Sequence, residues 1–152
     1  MKTILLFITI SACLPFSACK ENKLDIENNN CKAYTDLNFS NYDSLKSDPI
    51  NVASIEVVGD CLQMKVTYGG CTTNHPIDLA YIHPWCGTPP IPPPTFEIKH
   101  DSRGELCKMM VTNNLSFDLS PLQTDSTTEV LFTVFWHTES DSVKSINLKY
   151  KY

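Results

Sequence analysis

From residue 52 onward, apolar and polar residues alternate along most of the chain. The clearest run places four apolar side chains on one side of an extended backbone: Leu62, Met64, Val66 and Tyr68. Alternation with a period of two is typical of a strand with one buried face. The sequence therefore predicts a half-buried β-strand here, with a turn at Gly59-Asp60 before it.

The same alternation recurs in short segments that are separated by turn-forming residues. Its apolar positions are Ile55 and Val57; Ile77, Leu79 and Tyr81; Phe96 and Ile98; Cys107, Met109 and Val111; Leu115, Phe117 and Leu119; Ile146, Leu148, Tyr150 and Tyr152. Val130–Phe135 is apolar on both faces and predicts a central buried strand. Asp101–Gly104 has the composition of a hairpin turn.

Seven or eight short strands, spaced at about ten residues, indicate an all-β fold. We predict an antiparallel β-sandwich, Ig-like in kind, or a partly open barrel, over residues 51–152. Trp136 and His137 are interpreted as core and strand-end residues. No segment carries a helical stripe.

The beginning of the chain has a different character. Lys2, the apolar run Thr3–Ile10 and the stretch Ser17-Ala18-Cys19 follow the order of a secretory signal that ends at a lipid-modified cysteine. The apolar run is much shorter than the roughly 20 residues of a membrane-spanning helix. This region resembles a bacterial lipoprotein, which implies a signal peptide at 1–18 and acyl chains on Cys19.

The lipidation site has an alternative. Phe16 stands where the lipoprotein motif usually has Leu, Val or Ile, and Ile10-Ser11-Ala12-Cys13 fits that motif better, although it leaves a shorter apolar core. Cys13 is therefore the second candidate, and a secretory cut without lipid is a third. The family rule for the residue after the cysteine makes Lys20 imply outer-membrane retention. Residues 19–50, rich in Asn, Asp, Lys and Ser, are expected to form a partly ordered polar tether.

Charge and cysteine content narrow the possibilities further. The chain carries a formal charge of −5, and nucleic acid requires a basic surface, so nucleic-acid binding is excluded. Beyond Cys19 there are five cysteines without a Cys-x-x-Cys pair: Cys31, Cys61, Cys71, Cys86 and Cys107. In an oxidising compartment we expect structural disulfides. Five cysteines leave one unpaired, and the residues alone do not decide the pairing.

Two regions could carry function. Seven of the ten prolines lie between Pro76 and Pro94, and Tyr81, His83 and Trp85 stand beside them as candidate binding residues, because exposed aromatics next to rigid prolines lose little entropy on binding. The partner would be an envelope protein or a small ligand.

The other region is Tyr68–His75 with His100. Cys71, His75 and His100 could ligate zinc or copper(I), although loop residues and a disulfide half explain them as well. The stretch from His100 to Glu105 could be an acid/base pair or half a calcium loop, but a turn explains it better. The chain has none of the common catalytic or cofactor-binding motifs.

Gly69-Gly70-Cys71 with His75, His100-Asp101 before Cys107, and Leu115–Leu122 resemble a group of small uncharacterised exported lipoproteins. The resemblance covers residues 62–122 and brings no known activity. It implies that Cys71 pairs with Cys107.

We therefore expect a lipid-anchored envelope protein that serves as a binding or accessory module, without a cofactor and without enzymatic activity. The alternatives are a periplasmic metal-binding protein that uses Cys71, His75 and His100, and a hydrolase whose site the sequence does not reveal.

Overall fold

The computed structural model describes residue 31 and residues 37–83 and 92–152. Seven strands account for most of this part of the chain: β1 (Asn51–Val58), β2 (Cys61–Gly69), β3 (Ile77–Tyr81), β4 (Thr95–His100), β5 (Met110–Asp118), β6 (Glu129–His137) and β7 (Val143–Lys151). Two single-turn 3₁₀ helices lie at Tyr42–Ser44 and Ser120–Leu122. No helix in these ranges is long and apolar enough to cross a membrane.

The strands form two sheets, in the orders β1-β2-β5 and β3-β4-β6-β7. The predicted all-β sandwich is confirmed, and the sheets do not close into a barrel. One detail differs from the antiparallel prediction, because β4 and β6 run parallel. In an immunoglobulin constant domain the third strand pairs with the sixth, whereas here β4 lies between them.

The period-two pattern correctly predicts which side chains fill the space between the sheets. Leu62, Met64, Val66 and Tyr68 of β2 are all buried, as are Phe96 and Ile98 of β4. They join one apolar core with residues of the other sheet strands and with Leu37 and Ile50 from the segment before β1. Trp136 also lies in this core, as predicted.

The strand that is buried on both faces is β4 rather than β6. Leu131 of β6 is 55% exposed, whereas Phe96 to His100 of β4 are all buried. The reason lies outside the strand, because residues 37–50 cover its outer face and make isolated bridges to Ala80 and His100.

Beneath this segment, polar side chains replace the apolar ones expected of a buried face. Glu97 and Lys99 form an ion pair of 3.0 Å, and their side chains are 2% and 8% exposed. Glu97 also accepts hydrogen bonds from Ser47 and Tyr42. Burial alone would raise the pKa of Glu97, but these hydrogen bonds and Lys99 lower it. The charge is thus balanced within the fold.

The sandwich has two ends, which we name by the loops they carry. The upper end holds residues 70–76, 101–109 and 138–142, and the lower end holds residues 59–60, 82–83, 92–94 and 119–128. Strands β4 and β5 lie in different sheets. The predicted hairpin at residues 101–104 is therefore a crossover between sheets, and β5 begins at Met110 rather than at Cys107.

Candidate functional site

Two disulfide bonds lie at opposite ends of the sandwich. Cys71 and Cys107 are joined at the upper end, with Cα atoms 5.1 Å apart. Cys31 and Cys61 are joined at the lower end, with Cα atoms 5.6 Å apart. Cys13, Cys19 and Cys86 lie outside the described residues.

Next to the upper disulfide, three side chains form a hydrogen-bonded row that leads into the core. Glu105 Oε2 lies 3.0 Å from His75 Nε2, and His75 Nδ1 lies 2.9 Å from His100 Nε2. The row ends at the carbonyl oxygen of Pro49, 3.1 Å from His100 Nδ1. Both imidazoles are buried, whereas the side chain of Glu105 is 18% exposed.

The two ends of this row determine how many protons it carries. A carbonyl oxygen and a carboxylate only accept hydrogen bonds, so the three bonds between them require three N–H donors. Two neutral imidazoles provide two N–H groups. All three bonds therefore form at once only when the row carries one proton more than two neutral imidazoles supply.

The surroundings shift the pKa values at the two ends of this row in the directions that favour an ionised Glu105 and a neutral His100. Burial lowers the pKa of His100, since the interior disfavours the charged imidazole. The hydrogen bond that His75 donates lowers the pKa of Glu105 from its ordinary value of 4.5 to about 2.

Glu105 also joins the two upper loops directly. Its Oε2 accepts hydrogen bonds from the backbone N–H groups of Cys71 and Thr72, and its Oε1 accepts one from Thr72 Oγ1 at 3.1 Å. Together with the Cys71–Cys107 bond, these contacts fix residues 101–109 to residues 70–76. We call residues 101–109 the clamped loop.

A tight turn fixes the first half of the clamped loop. Arg103 and Gly104 both have positive φ, at 53° and 69°, and the N–H of Glu105 donates to the carbonyl of Ser102 at 3.0 Å. This is a type I′ turn. Asp48 accepts hydrogen bonds from the backbone and the hydroxyl of Ser102, at 2.7 and 2.6 Å, which ties the turn to the segment before β1.

Tyr68 packs against both imidazoles of the row. Its ring centroid lies 4.6 Å from that of His75 and 4.7 Å from that of His100. Burial raises the pKa of Tyr68, and its hydroxyl donates to the carbonyl of Thr73 at 3.2 Å. The row is thus held from the side as well as from its ends.

Between its fixed points the clamped loop exposes apolar side chains. Leu106, between the anchored Glu105 and Cys107, is 93% exposed. Met109 and the adjoining Met110 of β5 are 55% and 62% exposed. Because the residues on both sides of Leu106 are anchored, the backbone holds its side chain away from the core. This exposed apolar side chain is the most distinctive surface feature of the described chain.

The predicted site residues fall into separate places. His75 and His100 meet at the upper end, whereas Tyr81 and His83 lie at the lower end, because β3 and β4 run antiparallel with Ile77 opposite His100. His83 contacts the carbonyl of Phe39 at 2.7 Å. Trp85 lies outside the described residues. The binding candidates and the upper cluster therefore do not form one site.

The cluster does not have the arrangement that a metal site needs. The sulfur of Cys71 is bonded to Cys107, so it offers no thiolate, and His75 and His100 direct nitrogens at each other. Within residues 31, 37–83 and 92–152, no three His, Cys, Asp or Glu side chains could hold a metal ion. In the same ranges, no histidine is hydrogen-bonded to a serine, threonine or cysteine side chain.

Sequence reasoning missed Glu105 as an anchor and Leu106 as an exposed tip. The composition of residues 101–105 indicated only a turn. The sequence feature that could have indicated both is the spacing of Glu105 and Cys107, which stand on either side of one leucine. In the structure both of these side chains are directed inward.

A family model places the fold among known proteins. The NigD-like C-terminal beta sandwich domain matches residues 32–150. The chain belongs to this family. The match begins before β1 and so includes the segment that covers β4.

Solved structures share the fold at low sequence identity. A NigD-like immunity protein from Bacteroides caccae superposes with a TM-score of 0.60 at 14% identity, over 78% of this chain and 64% of that one. A protein described as toxin related, from Parabacteroides distasonis, gives 0.59 at 20% identity, over 78% and 61%. A protein of unknown function from Bacteroides vulgatus gives 0.57 at 14%, over 78% and 57%. This chain thus spans less than two thirds of the length of each of these three proteins, and no curated protein matches it.

Proposed function

We propose that this chain is an exported, lipid-anchored binding protein of the cell envelope, and that its clamped loop contacts a partner protein. The observation that carries the proposal is Leu106, which is 93% exposed between two anchored neighbours. An apolar side chain held in one place loses little entropy when a partner covers it. The proposed role is binding rather than catalysis.

The family supports a partner that is a protein. The Bacteroides caccae relative is named an immunity protein, and the Parabacteroides distasonis relative is described as toxin related. We propose that the present chain likewise acts on a protein, with the clamped loop as the contact surface. Tyr81 and His83, at the lower end, remain a second candidate surface.

Crosslinking from position 106 tests the contact. A photo-crosslinking phenylalanine analogue replaces Leu106 in the full-length chain, expressed in the host cell. Leu131, which is 55% exposed on β6, receives the same analogue as the matched control. We expect one protein adduct from position 106, none from position 131, and competition by unlabelled wild-type protein. Equal adducts from both positions, or none, would contradict the proposal.

Lipidation requires a separate experiment. A thioether-linked lipid needs the sulfur of Cys19, so Cys19→Ala should abolish incorporation of labelled fatty acid and release the protein from the outer-membrane fraction. Cys13→Ala is the matched control and should retain both. If the two variants exchange these results, Cys13 is the lipidation site.

A further inference from the structure

The charges on the clamped loop show what kind of surface it fits. We propose that the loop binds a protein that offers an apolar pocket bordered by carboxylates. This inference rests on the proposed function and names the chemistry of the partner. It depends on three observations: the unpaired charges of the loop, its apolar tip and its position in the molecule.

The clamped loop contains two cationic and two acidic residues, but in the structure the two acidic side chains are bonded to residues outside the loop. Asp101 forms an ion pair with Lys46 at 3.0 Å, and Glu105 turns inward to the histidine pair. Arg103 and Lys108 are exposed, and neither forms an ion pair or a side-chain hydrogen bond with any residue that the structure describes. Glu105 is bonded to His75, Cys71 and Thr72 instead. The outward surface of the loop therefore carries two cations that pair with no carboxylate in the described part of the chain.

These charges flank the apolar tip. Arg103 precedes Leu106 by three residues, and Lys108 follows it by two. A partner that covers Leu106 and Met109 must place groups near both cations. Carboxylates there gain charge-assisted hydrogen bonds, whereas basic groups are repelled. The remaining protein is acidic, with a formal charge of −5 overall, so the basic character is local to this loop.

The acidic residues of the other upper loop do not pair with these cations. Glu139 and Asp141 belong to the turn between β6 and β7, and β7 lies at the edge of its sheet. Among the residues that the structure describes, neither forms an ion pair with Arg103 or Lys108.

The position of the loop favours a protein over the anchoring membrane. The Cys31–Cys61 bond ties the N-terminal side of the domain to the lower end, and the proposed lipid on Cys19 precedes Cys31 by only twelve residues. The clamped loop lies at the upper end, one strand length away. A second copy is disfavoured as well, since a two-fold contact through this loop would bring like charges together.

The test repeats the crosslinking from position 106 with the charges reversed. Arg103→Glu with Lys108→Glu changes the loop, whereas Lys65→Glu with Lys151→Glu changes the net charge equally at exposed positions of β2 and β7. We expect the loop variant to lower the adduct yield about tenfold or more, because like charges repel the partner. The control pair should leave the yield within about twofold, and Arg103→Lys should retain it. Melting curves of all variants establish that they fold.

Each other outcome has a defined meaning. An adduct whose yield does not change in the loop variant overturns the inference and leaves the proposed function standing. The absence of any adduct overturns both. An adduct between two copies of this chain overturns the inference. Binding of the loop to lipid would also overturn the inference. It would be seen if the Cys19→Ala protein sedimented with phosphatidylglycerol–phosphatidylcholine vesicles and the additional substitution Leu106→Asp abolished that sedimentation.

Discussion

At the residue scale, the clamp depends on the absence of a side chain at Gly70. A Cβ atom there would lie 2.6 Å from Cε1 and 2.9 Å from Nε2 of His75, and 3.3 Å from Oε2 of Glu105. His75 is buried against Tyr68 and His100, so it has little room to move. A methyl group would therefore separate the two sides of the clamp.

Gly70→Ala should lower the free energy of unfolding by about 1–3 kcal/mol, the usual cost of overpacking. Gly69→Ala is the matched control, because its Cβ would have an ordinary contact of 3.7 Å with the carbonyl of Cys107. We expect Gly69→Ala to change the free energy by less than about 1 kcal/mol. Urea denaturation measures both. Equal losses in the two variants would mean that strain in the strand end, rather than the clamp, determines the effect.

The sequence showed only part of this clamp, because it grouped His75 with His100 as possible metal ligands and indicated only a turn at Glu105. Tyr68, Gly70 and His75 stand within eight residues, and their density marked the region as unusual. Their partners His100 and Glu105 follow 25 and 30 residues after His75. These contacts depend on the register between β3 and β4 and on the residue at which the crossover to β5 begins. The alternation of apolar and polar residues within one strand predicts neither.

At the scale of the element, alternation predicted the strands well because each has one face on a shared core. Alternation did not predict that β4 is buried on both faces, because the second face of β4 is covered by residues 37–50. That segment has few apolar residues, and it covers β4 through Tyr42 and Ser47, which bond to Glu97. Polar burial of this kind leaves no hydrophobic pattern, so the sequence suggested a partly ordered tether instead.

The buried pair on β4 leads to a test with a matched control. Lys99→Met removes the lysine that pairs with buried Glu97, leaves His137 Nε2 at 3.4 Å from the carboxylate, and should cost about 3–5 kcal/mol of stability. Lys149→Met removes the cation of a surface pair, since Lys149 is 3.1 Å from Glu129 and both are over 40% exposed. It should cost at most about 1 kcal/mol. Thermal or urea unfolding distinguishes the two. Similar small losses would show that Ser47, Tyr42 and His137 suffice to hold the carboxylate.

At the scale of the whole molecule, the clamp makes stability depend on pH. The pKa of Glu105 is about 2 in the folded protein and 4.5 ordinarily, so its contribution is present above pH 4.5 and is lost as pH falls toward 2. The pKa of His100 is lowered on folding. Its contribution is therefore lost as pH falls below 6.5, where the unfolded chain takes up the proton.

Comparison of wild-type protein with Glu105→Gln separates these effects, since both proteins retain His100. We expect the difference in unfolding free energy to stay constant between pH 7 and pH 5 and to vanish as pH falls from 4.5 to 2. Urea denaturation at several pH values measures it. A difference that persists unchanged at pH 2 would mean that the carboxylate is not the titrating group.

The Cys31–Cys61 bond also decides how mechanical load enters the domain. Tension applied on the N-terminal side reaches Cys31 and passes through the disulfide to Cys61, the first residue of β2. β2 is the central strand of its sheet, held by β1 on one side and β5 on the other. The two cysteines are 30 positions apart in sequence, and the force bypasses the chain between them, roughly 100 Å when extended. A protein tethered at this end is therefore pulled by the central strand of the first sheet, while the segment over β4 bears no load.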